Sequence, residues 1–251
     1  MKRLVSKALR KVGWELRRFR PESSEWVRLK WMLSAHRVET VLDVGANRGQ
    51  FARSLRDSGF EGRIVSFEPV SEAHSQLCRV ARKDSLWTVA ERVAIGDRDG
   101  QTEIHVAHNS VSSSLLPMLD SHLVAEPESG FVATELVPIA RLDSIASRFL
   151  ENDKPIFIKV DVQGFEKRVL DGAPKLLKRT VGLQLELSLV PLYEGETLFQ
   201  PMVEYLRTMD FDLWAFVPGF VDKQNGRMLQ VDGVFFQRKS EEQSLIAGLI
   251  R

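Results

Sequence analysis

The chain has 251 residues, of which 43% are hydrophobic and 27% charged, and a formal net charge of +1. This composition is ordinary for a globular protein that buries a full core, and the single cysteine, Cys78, excludes an internal disulfide. No apolar run approaches the roughly 20 residues of a membrane-spanning helix, and the N-terminus lacks the apolar core of a secretory signal, so we expect a cytoplasmic protein.

The first twenty residues form a basic arm. They hold eight lysines and arginines against Glu15 alone, which gives them a net charge of +7 and the rest of the chain −6. Apolar residues recur within the arm at helical spacing, so two interpretations stay open. The arm could lie at the inner membrane surface, where each nearby cation contributes about 1 kcal/mol, or its helix could pack on the domain with the charges in solvent. We expect no nucleic-acid partner, because the remaining chain is acidic and lacks a basic stripe.

Strand and helix patterns alternate after the arm. Strands are predicted at 40–44, 63–67, 87–95, 102–107, 136–139, 156–160, 181–187, 213–217 and 233–237. Helices are predicted at 24–35, at 50–58, at 71–83 with Ser71 as N-cap, at 142–150, at 166–177 with Pro174 as a weak point, and at 198–209. Residues 109–134 are predicted as a long loop, which in a compact domain is usually a functional lid or disordered.

This alternation predicts an α/β fold, namely a doubly wound, Rossmann-like and mostly parallel sheet covered by helices on both faces. The last two strands, with no helix between them, are expected to form an antiparallel pair. We assign residues 1–36 to the basic arm and first helix, 37–240 to one α/β domain, and 241–251 to a C-terminal tail. Oligomeric state cannot be inferred from these patterns.

A glycine turn between two acids is the clearest ligand motif. Asp43 ends the first strand, Gly45 and Gly49 flank the turn, and Asn47 lies within it. Glycines allow a sharp bend and close approach to a ligand, and in a doubly wound sheet this turn lies at the strand ends where ligands bind. Glu68 follows the next strand, where an acid can accept both ribose hydroxyls. The pattern predicts a nucleoside site formed by Asp43, Gly45, Asn47, Gly49, Glu68 and, from the third strand region, Ala94.

Two other classes of protein would also use such a turn. A nicotinamide-dependent oxidoreductase would have Gly-x-Gly-x-x-Gly, whereas the middle position here is Asn47. A binding module could keep the nucleoside pocket without catalysis, but acids at later strand ends argue against it.

Three side chains are candidates for catalysis. Asp161 ends the strand at 156–160 and could accept a proton from a bound hydroxyl, or it could only cap the next helix. Glu186 lies among apolar neighbours, where an unpaired acid is costly, so it is either a site residue or the partner of a cation. His108 is a second candidate base, because histidine titrates near neutrality.

A polar patch follows the strand at 102–107 and suits a polyhydroxylated acceptor. It comprises Asn109, Ser110, Ser113 and Ser114, which we predict to bind substrate. No His/Cys cluster suggests zinc. A divalent metal such as magnesium, held by Asp161 and another carboxylate, stays open as an alternative, although the sequence shows no dedicated spacing for it.

Taken together, these segments resemble the FkbM-type methyltransferases over about residues 41–236. The resemblance rests on residues 41–51 (VLDVGANRGQF), 66–69, 109–114, 141–143, 158–166 (IKVDVQGFE), 169–173, 186–188 and 232–235. It implies O-methylation with S-adenosyl-L-methionine, and it carries Asp43, Gly45, Gly49 and Glu68 over as cofactor residues. Segments 67–74 and 117–122 are similar to members that methylate deoxysugars of bacterial glycolipids. Polyketides and other natural products are alternative acceptors within the family.

Overall fold

The computed structural model describes residues 11, 13, 19–151 and 154–238. Within these residues the strands are β1 Thr40–Val44, β2 Arg63–Phe67, β3 Trp87–Val89, β4 Ala94–Ile95, β5 Gly100–Ala107, β6 Phe131–Ala140, β7 Ile156–Val160, β8 Thr180–Ser188, β9 Phe211–Pro218 and β10 Gln230–Gln237. The helices are α1 Glu25–Ala35, α2 Gln50–Asp57, α3 Ser71–Ala81, α4 Asp120–Ala125, α5 Leu142–Ile145, α6 Glu166–Asp171, α7 Pro174–Leu177 and α8 Phe199–Thr208. Short 3₁₀ turns occupy Pro127–Ser129 and Ala146–Arg148.

The predicted basic arm, residues 1–20, lies outside the described residues apart from residues 11, 13, 19 and 20. The predicted tail, residues 241–251, lies outside them entirely. Both interpretations of the arm, contact with a membrane and packing on the domain, therefore stay open. Across the described ranges, no helix combines the length and the apolar character that crossing a membrane requires.

The main sheet of the described chain has seven strands in the order β3-β2-β1-β7-β8-β10-β9. β3, β2, β1, β7 and β8 are parallel, and β10 runs antiparallel to both of its neighbours, β8 and β9. This confirms the doubly wound, mostly parallel sheet that ends in an antiparallel pair. A second sheet, β4-β6-β5, was not predicted from the sequence.

Helices cover both faces of the main sheet, as the doubly wound prediction requires. Apolar residues of α1, α2 and α3 pack on one face, with Leu33, Leu55 and Leu77 fully buried. Helices α5 to α8 pack on the other face, where Leu142 and Leu206 are fully buried. Burying a leucine side chain contributes roughly 1.5–3 kcal/mol, so these two layers hold the sheet between them.

Helix α1 begins where the sequence predicts. The Ser24 side chain accepts a hydrogen bond from the Val27 amide, and Glu25 places a negative charge in the first turn. The N-cap prediction for α3 was wrong: Val70 takes that position, and Ser71 instead bonds through its amide and hydroxyl to Glu135.

Three predicted elements are divided in the structure. The helix predicted at 142–150 is α5 and a 3₁₀ turn. The helix predicted at 166–177 is α6 and α7, because Pro174 lacks an amide proton and begins a new helix. The strand predicted at 87–95 is β3 of the main sheet and β4 of the small sheet.

The prediction of a long loop at 109–134 holds for residues 109–119, where the structure has no helix or strand, and was wrong for the rest. The segment contains α4, a 3₁₀ turn and the start of β6. His122 of α4 is buried and its ring contacts those of Tyr193 and Phe220. These partners are distant in sequence, so local polarity could not reveal that the segment folds against them.

Strand register places a row of polar side chains on one face of the sheet. Asp43 on β1 is level with Lys159 on β7, and Lys159 is level with Gln184 on β8. Glu186 lies two residues further along β8, on the same face, and pairs with Asp232 on β10. The polar row follows the α1–α3 face of the core at the carboxyl ends of the parallel strands.

Candidate active site

A cavity of about 270 Å³ opens at the carboxyl ends of β1, β2 and β7. Its wall includes the turn after β1, the end of β2 with Glu68, the β4 residues Ala94 and Ile95, and Asp161 after β7. Ligands of doubly wound sheets bind at this edge, beside the point where strand order reverses. The order here reverses between β1 and β7, so topology and cavity agree.

The turn after β1 depends on Gly45. Its φ is +75°, and a Cβ at this position would lie 1.8 Å from the Asp161 carbonyl oxygen. The amides of Gly45 and Ala46 both donate to the Phe67 carbonyl at 3.0 Å, and the Asp161 amide donates to the Val44 carbonyl at 3.1 Å. Three strand ends are thereby joined around one residue without a side chain.

Glu68 is buried with both carboxylate oxygens on backbone amides. One accepts from Asn47 at 2.7 Å and the other from Val70 at 2.8 Å. Burial raises the pKa of Glu68 to about 7, although the two amides lower it in part. Because a carboxylate has about four lone-pair sites, Glu68 can accept two further hydrogen bonds from a ligand in the cavity.

Asn47 shapes the same turn from within. It has a φ of +46°, a left-handed conformation that asparagine tolerates. Its side-chain oxygen accepts from the Arg48 amide at 2.8 Å, and its amide nitrogen donates to Ser110 at 3.3 Å. Asn47 therefore ties the glycine turn to the polar segment after β5.

A buried lysine joins two of the predicted acids. Lys159 is 7% exposed, and its ammonium lies 3.5 Å from Asp43, 3.2 Å from Asp161 and 3.2 Å from the Gly45 carbonyl. Burial lowers the pKa of Lys159, but Asp161 and Asp43 outweigh that effect and raise it overall. The two carboxylates therefore favour the charged form of Lys159, and its contact with Asp161 holds that side chain in place.

Asp43 lies beneath the cavity and does not form part of its wall. It is fully buried, accepts from Ser66 at 3.1 Å and has one oxygen without a hydrogen-bond partner among the described residues. Burial raises the pKa of Asp43, and Lys159 opposes this. Gly49 is also absent from the wall: its φ is +81°, and a Cβ there would meet Trp87 at 2.7 Å.

Glu186 belongs to a hydrogen-bond network below the cavity wall. It accepts from Gln163 and from Gln230, and burial together with Asp161 raises its pKa well above the ordinary range. Gln163 also donates to Asp161 at 3.0 Å and accepts from the Tyr193 hydroxyl at 2.8 Å. Glu186 thus reaches Asp161 through Gln163, which has a left-handed φ of +56°.

Of the remaining predicted residues, some lie on the cavity wall and others do not. His108 is not on the cavity wall; its side chain is 65% exposed and pairs with Glu128 at 2.9 Å. Asn109 is also off the wall, since its side chain closes a local turn with Ser112. The predicted substrate residues Ser110, Ser113 and Ser114 do line the cavity.

Four functional candidates were not predicted from the sequence. Lys159, Gln184 and Asp232 line the cavity, and so does Gln163. A lysine and a glutamine within otherwise apolar strands were the available signal, because a buried polar side chain needs a partner. Within the described ranges, no three His, Cys, Asp or Glu side chains converge in an arrangement that could hold a metal ion.

The buried acids predict that stability falls between about pH 5 and pH 8. Burial raises the pKa of Asp232 to about 6, of Glu68 to about 7 and of Glu166 to about 8. The folded state keeps these protons after the unfolded state has lost them, so unfolding becomes easier as pH rises through the folded pKa values. Scanning calorimetry should show a falling Tm, by roughly 2–4 °C for each kcal/mol lost.

A pair of variants isolates this effect. Glu166→Gln keeps an oxygen for the Val162 and Gly164 amides but cannot ionise, so its Tm should fall less steeply with pH. Glu151→Gln is the control, because the lowered pKa of Glu151 affects stability only at more acidic pH. Equal slopes in wild type and Glu166→Gln would contradict the assignment for Glu166.

Comparison with known proteins gives one curated relative and many solved structures of similar fold. The relative is "2-O-methyltransferase NoeI" of Sinorhizobium fredii, 25% identical over 189 residues, which cover 72% of this chain and 76% of that protein. Magnesium protoporphyrin IX methyltransferase of Synechocystis, solved with bound S-adenosylmethionine, aligns with a TM-score of 0.47 at 8% identity, covering 85% and 77% of the two chains. A putative RNA methyltransferase of Pyrococcus horikoshii aligns with a TM-score of 0.45 at 11% identity, covering 86% and 84%.

A family model settles the classification. The methyltransferase FkbM domain matches residues 43–213, about two thirds of the chain. This range includes the glycine turn, Glu68, Lys159, Asp161 and Glu186. The chain therefore belongs to the FkbM methyltransferase family and is an S-adenosylmethionine-dependent methyltransferase.

Proposed function

We propose that this enzyme transfers the methyl group to a hydroxyl oxygen of a sugar, and that the sugar is a deoxysugar of a bacterial glycolipid. One observation carries the proposal: the glycine turn, Glu68 and Asp161 line one cavity. A nucleoside site and a candidate proton acceptor therefore share the same space. The relative named as a 2-O-methyltransferase supports transfer to oxygen. The resemblance of segments 67–74 and 117–122 to members that methylate deoxysugars of glycolipids supports the sugar.

The cavity residues fit S-adenosyl-L-methionine. Glu68 has lone pairs for two ribose hydroxyls, and the turn at Gly45 and Ala46 exposes backbone close to the cavity. Ala94 and Ile95 give the apolar wall that a purine needs. The bound cofactor would supply a methyl group made electrophilic by its sulfonium.

Asp161 is the proposed proton acceptor for the substrate hydroxyl. A neutral sugar hydroxyl is a poor nucleophile, so a base within hydrogen-bond reach aids its attack. One Asp161 oxygen accepts a hydrogen bond from Gln163, and the other contacts the Lys159 ammonium. Each oxygen therefore keeps a second lone pair for the substrate. The side chain is 34% exposed, so it faces the cavity while its orientation is held from below. Alignment by these contacts should provide much of the rate enhancement.

Methyl transfer from labelled S-adenosyl-L-methionine tests the proposed acceptor. The acceptor panel comprises 6-deoxyhexose glycosides, a bacterial glycolipid extract and a set of polyketide alcohols. Linkage analysis of the labelled products then identifies the methylated hydroxyl. Label in one hydroxyl of a deoxysugar is the expected result. Label confined to polyketides would replace the sugar with the alternative acceptor, and cofactor binding without transfer to any hydroxyl would indicate a binding module.

Glu68→Gln should weaken binding of S-adenosylhomocysteine by about tenfold, a loss of about 1.4 kcal/mol, as measured by calorimetry. The glutamine side chain has one acceptor oxygen in place of two. The amides of Asn47 and Val70 already donate to the Glu68 carboxylate, so the variant has too few acceptor sites left for the ribose hydroxyls. Wild-type affinity should rise with pH through about 7, because Glu68 accepts all its donors only when ionised.

Glu72→Gln is the control for Glu68→Gln, because Glu72 is exposed on α3 and bonds only Gln76 among the described residues. It should bind like wild type at every pH. Undiminished binding by Glu68→Gln would remove Glu68 from the ribose role.

A further inference from the structure

Part of the cavity wall has no role in the proposed cofactor site. This part lies between helices α1 and α2 on one side and strands β8, β9 and β10 on the other. It comprises Trp26, Leu29, Phe51, Gln184, Val217 and Asp232, and we call it the α1 pocket. We propose that the α1 pocket binds the sugar ring of the acceptor, an inference that rests on the proposed function.

Gln184 is the observation that points most directly to a ligand. It is 5% exposed, and its side-chain nitrogen donates to Asp232 at 2.9 Å. Its side-chain oxygen is buried and has no hydrogen-bond partner among the described residues. A buried acceptor without a hydrogen bond destabilises the folded chain, so a ligand that donates to this oxygen would be favoured in the cavity. A sugar hydroxyl is such a donor.

Asp232 provides an acceptor beside Gln184. Its contact with Gln184 uses one oxygen, Oδ2, and the second oxygen has none of the described hydrogen bonds. Neighbouring hydroxyls of a sugar ring can therefore donate to Gln184 and to Asp232. Lys159 is level with Gln184 on the next strand, and its ammonium lies 3.2 Å from Asp161. The proposed proton acceptor and the α1 pocket thus lie along one row of side chains.

The opposite wall of the α1 pocket is aromatic. Trp26 of α1 and Phe51 of α2 contact each other, with ring centroids 5.6 Å apart and planes at 59°. Sugar rings present C–H groups on one face and hydroxyls at their edge. An aromatic side chain and a carboxamide–carboxylate pair lining the same cavity match both features, whereas a purely apolar acceptor would leave Gln184 and Asp232 unsatisfied.

Two of the serines predicted to bind substrate already make hydrogen bonds within the chain. The Ser113 hydroxyl donates to the Ser110 carbonyl, and the Ser114 hydroxyl donates to the Gln163 carbonyl. Each also accepts from a backbone amide, of Ala107 and of Leu116 respectively. These hydroxyls hold the segment in shape, so the α1 pocket offers the free polar groups for an acceptor.

The test compares Gln184→Leu and Trp26→Leu with two matched controls. Gln237→Leu makes the same change on β10 at a half-buried glutamine away from the cavity, and Trp31→Leu does so at an exposed tryptophan of α1. The probe is the 6-deoxyhexose glycoside that wild type methylates best. The measurements are KM and kcat for the probe, calorimetric affinity for S-adenosylhomocysteine, and calorimetric binding of the probe to enzyme saturated with S-adenosylhomocysteine.

Each of Gln184→Leu and Trp26→Leu should raise KM and the dissociation constant of the probe by about tenfold, equivalent to about 1.4 kcal/mol. Affinity for S-adenosylhomocysteine should stay at the wild-type value, which also shows that the variants are folded. Both controls should match wild type in all three measurements.

Two failures are distinguishable. If wild type methylates the probe but the variants keep its KM and its binding, the α1 pocket is not the sugar site and the proposed function stands. If wild type neither binds nor methylates any glycoside of the panel, the proposed function fails and the α1 pocket assignment fails with it.

Discussion

Asp161→Asn should lower kcat by a factor of about 10²–10⁴, the usual contribution of a positioned general base. Asparagine keeps the shape and an oxygen for the Gln163 donor, but it cannot take up the proton of the acceptor hydroxyl. Affinity for S-adenosylhomocysteine should change little, because the ribose contacts are assigned to Glu68. The measurement is single-turnover methyl transfer alongside calorimetry.

Asp171→Asn is the matched control for Asp161→Asn. Asp171 is also an aspartate paired with a lysine, since Lys167 lies 2.6 Å away, and its side chain is 39% exposed against 34% for Asp161. It lies on α6 away from the cavity and should keep wild-type turnover. Near-normal turnover of Asp161→Asn would place the proton acceptor elsewhere on the cavity wall.

Gly45→Ala should weaken binding of S-adenosylhomocysteine by about a hundredfold or more, a loss of about 2.7 kcal/mol. The new Cβ would lie 1.8 Å from the Asp161 carbonyl oxygen, which is backbone and cannot rotate away. The β1 turn and the end of β7 must then separate, and Glu68 and Asp161 lose their common geometry. Calorimetric titration measures the loss, and Tm should fall as well.

Gly59→Ala separates this clash from the backbone strain. Gly59 has a φ of +91°, close to the +75° of Gly45, but a Cβ there meets nothing within 4 Å. It should incur only the left-handed penalty of roughly 1–2 kcal/mol in stability and should bind the cofactor normally. Equal cofactor affinity in the two variants would show that the approach of Gly45 to Asp161 does not matter.

Local patterns revealed the fold because they reflect burial directly. Alternating apolar runs and amphipathic stretches required a parallel sheet between two helical layers, and the structure has this arrangement. Two of the errors involve distant partners: Ser71 is held by Glu135, and the unpredicted helix α4 contacts Tyr193 and Phe220. Neither contact can be predicted from the residues that adjoin Ser71 or α4 in the sequence.

Strand ends were the informative part of the candidate site. Asp43, Glu68 and Asp161 follow strands that are parallel and adjacent, so their ends necessarily meet at one edge. His108 and Asn109 belong to the same segment after β5 as the serines that line the cavity, but the cavity does not reach them. The His108 side chain pairs with Glu128 and that of Asn109 with Ser112, contacts that residue type alone could not predict.

The sequence by itself determined the sheet class, the glycine turn and the acids at the strand ends, because the alternation of strands and helices and the position of a tight turn follow from apolar periodicity and glycine. Only the tertiary structure decided what faces the cavity. Register aligns Asp43, Lys159 and Gln184 across three strands, and helix α1 brings Trp26 to the same cavity. Register and helix packing are set by contacts between segments far apart in the chain, so the polar row and its aromatic wall appear only when the chain is folded.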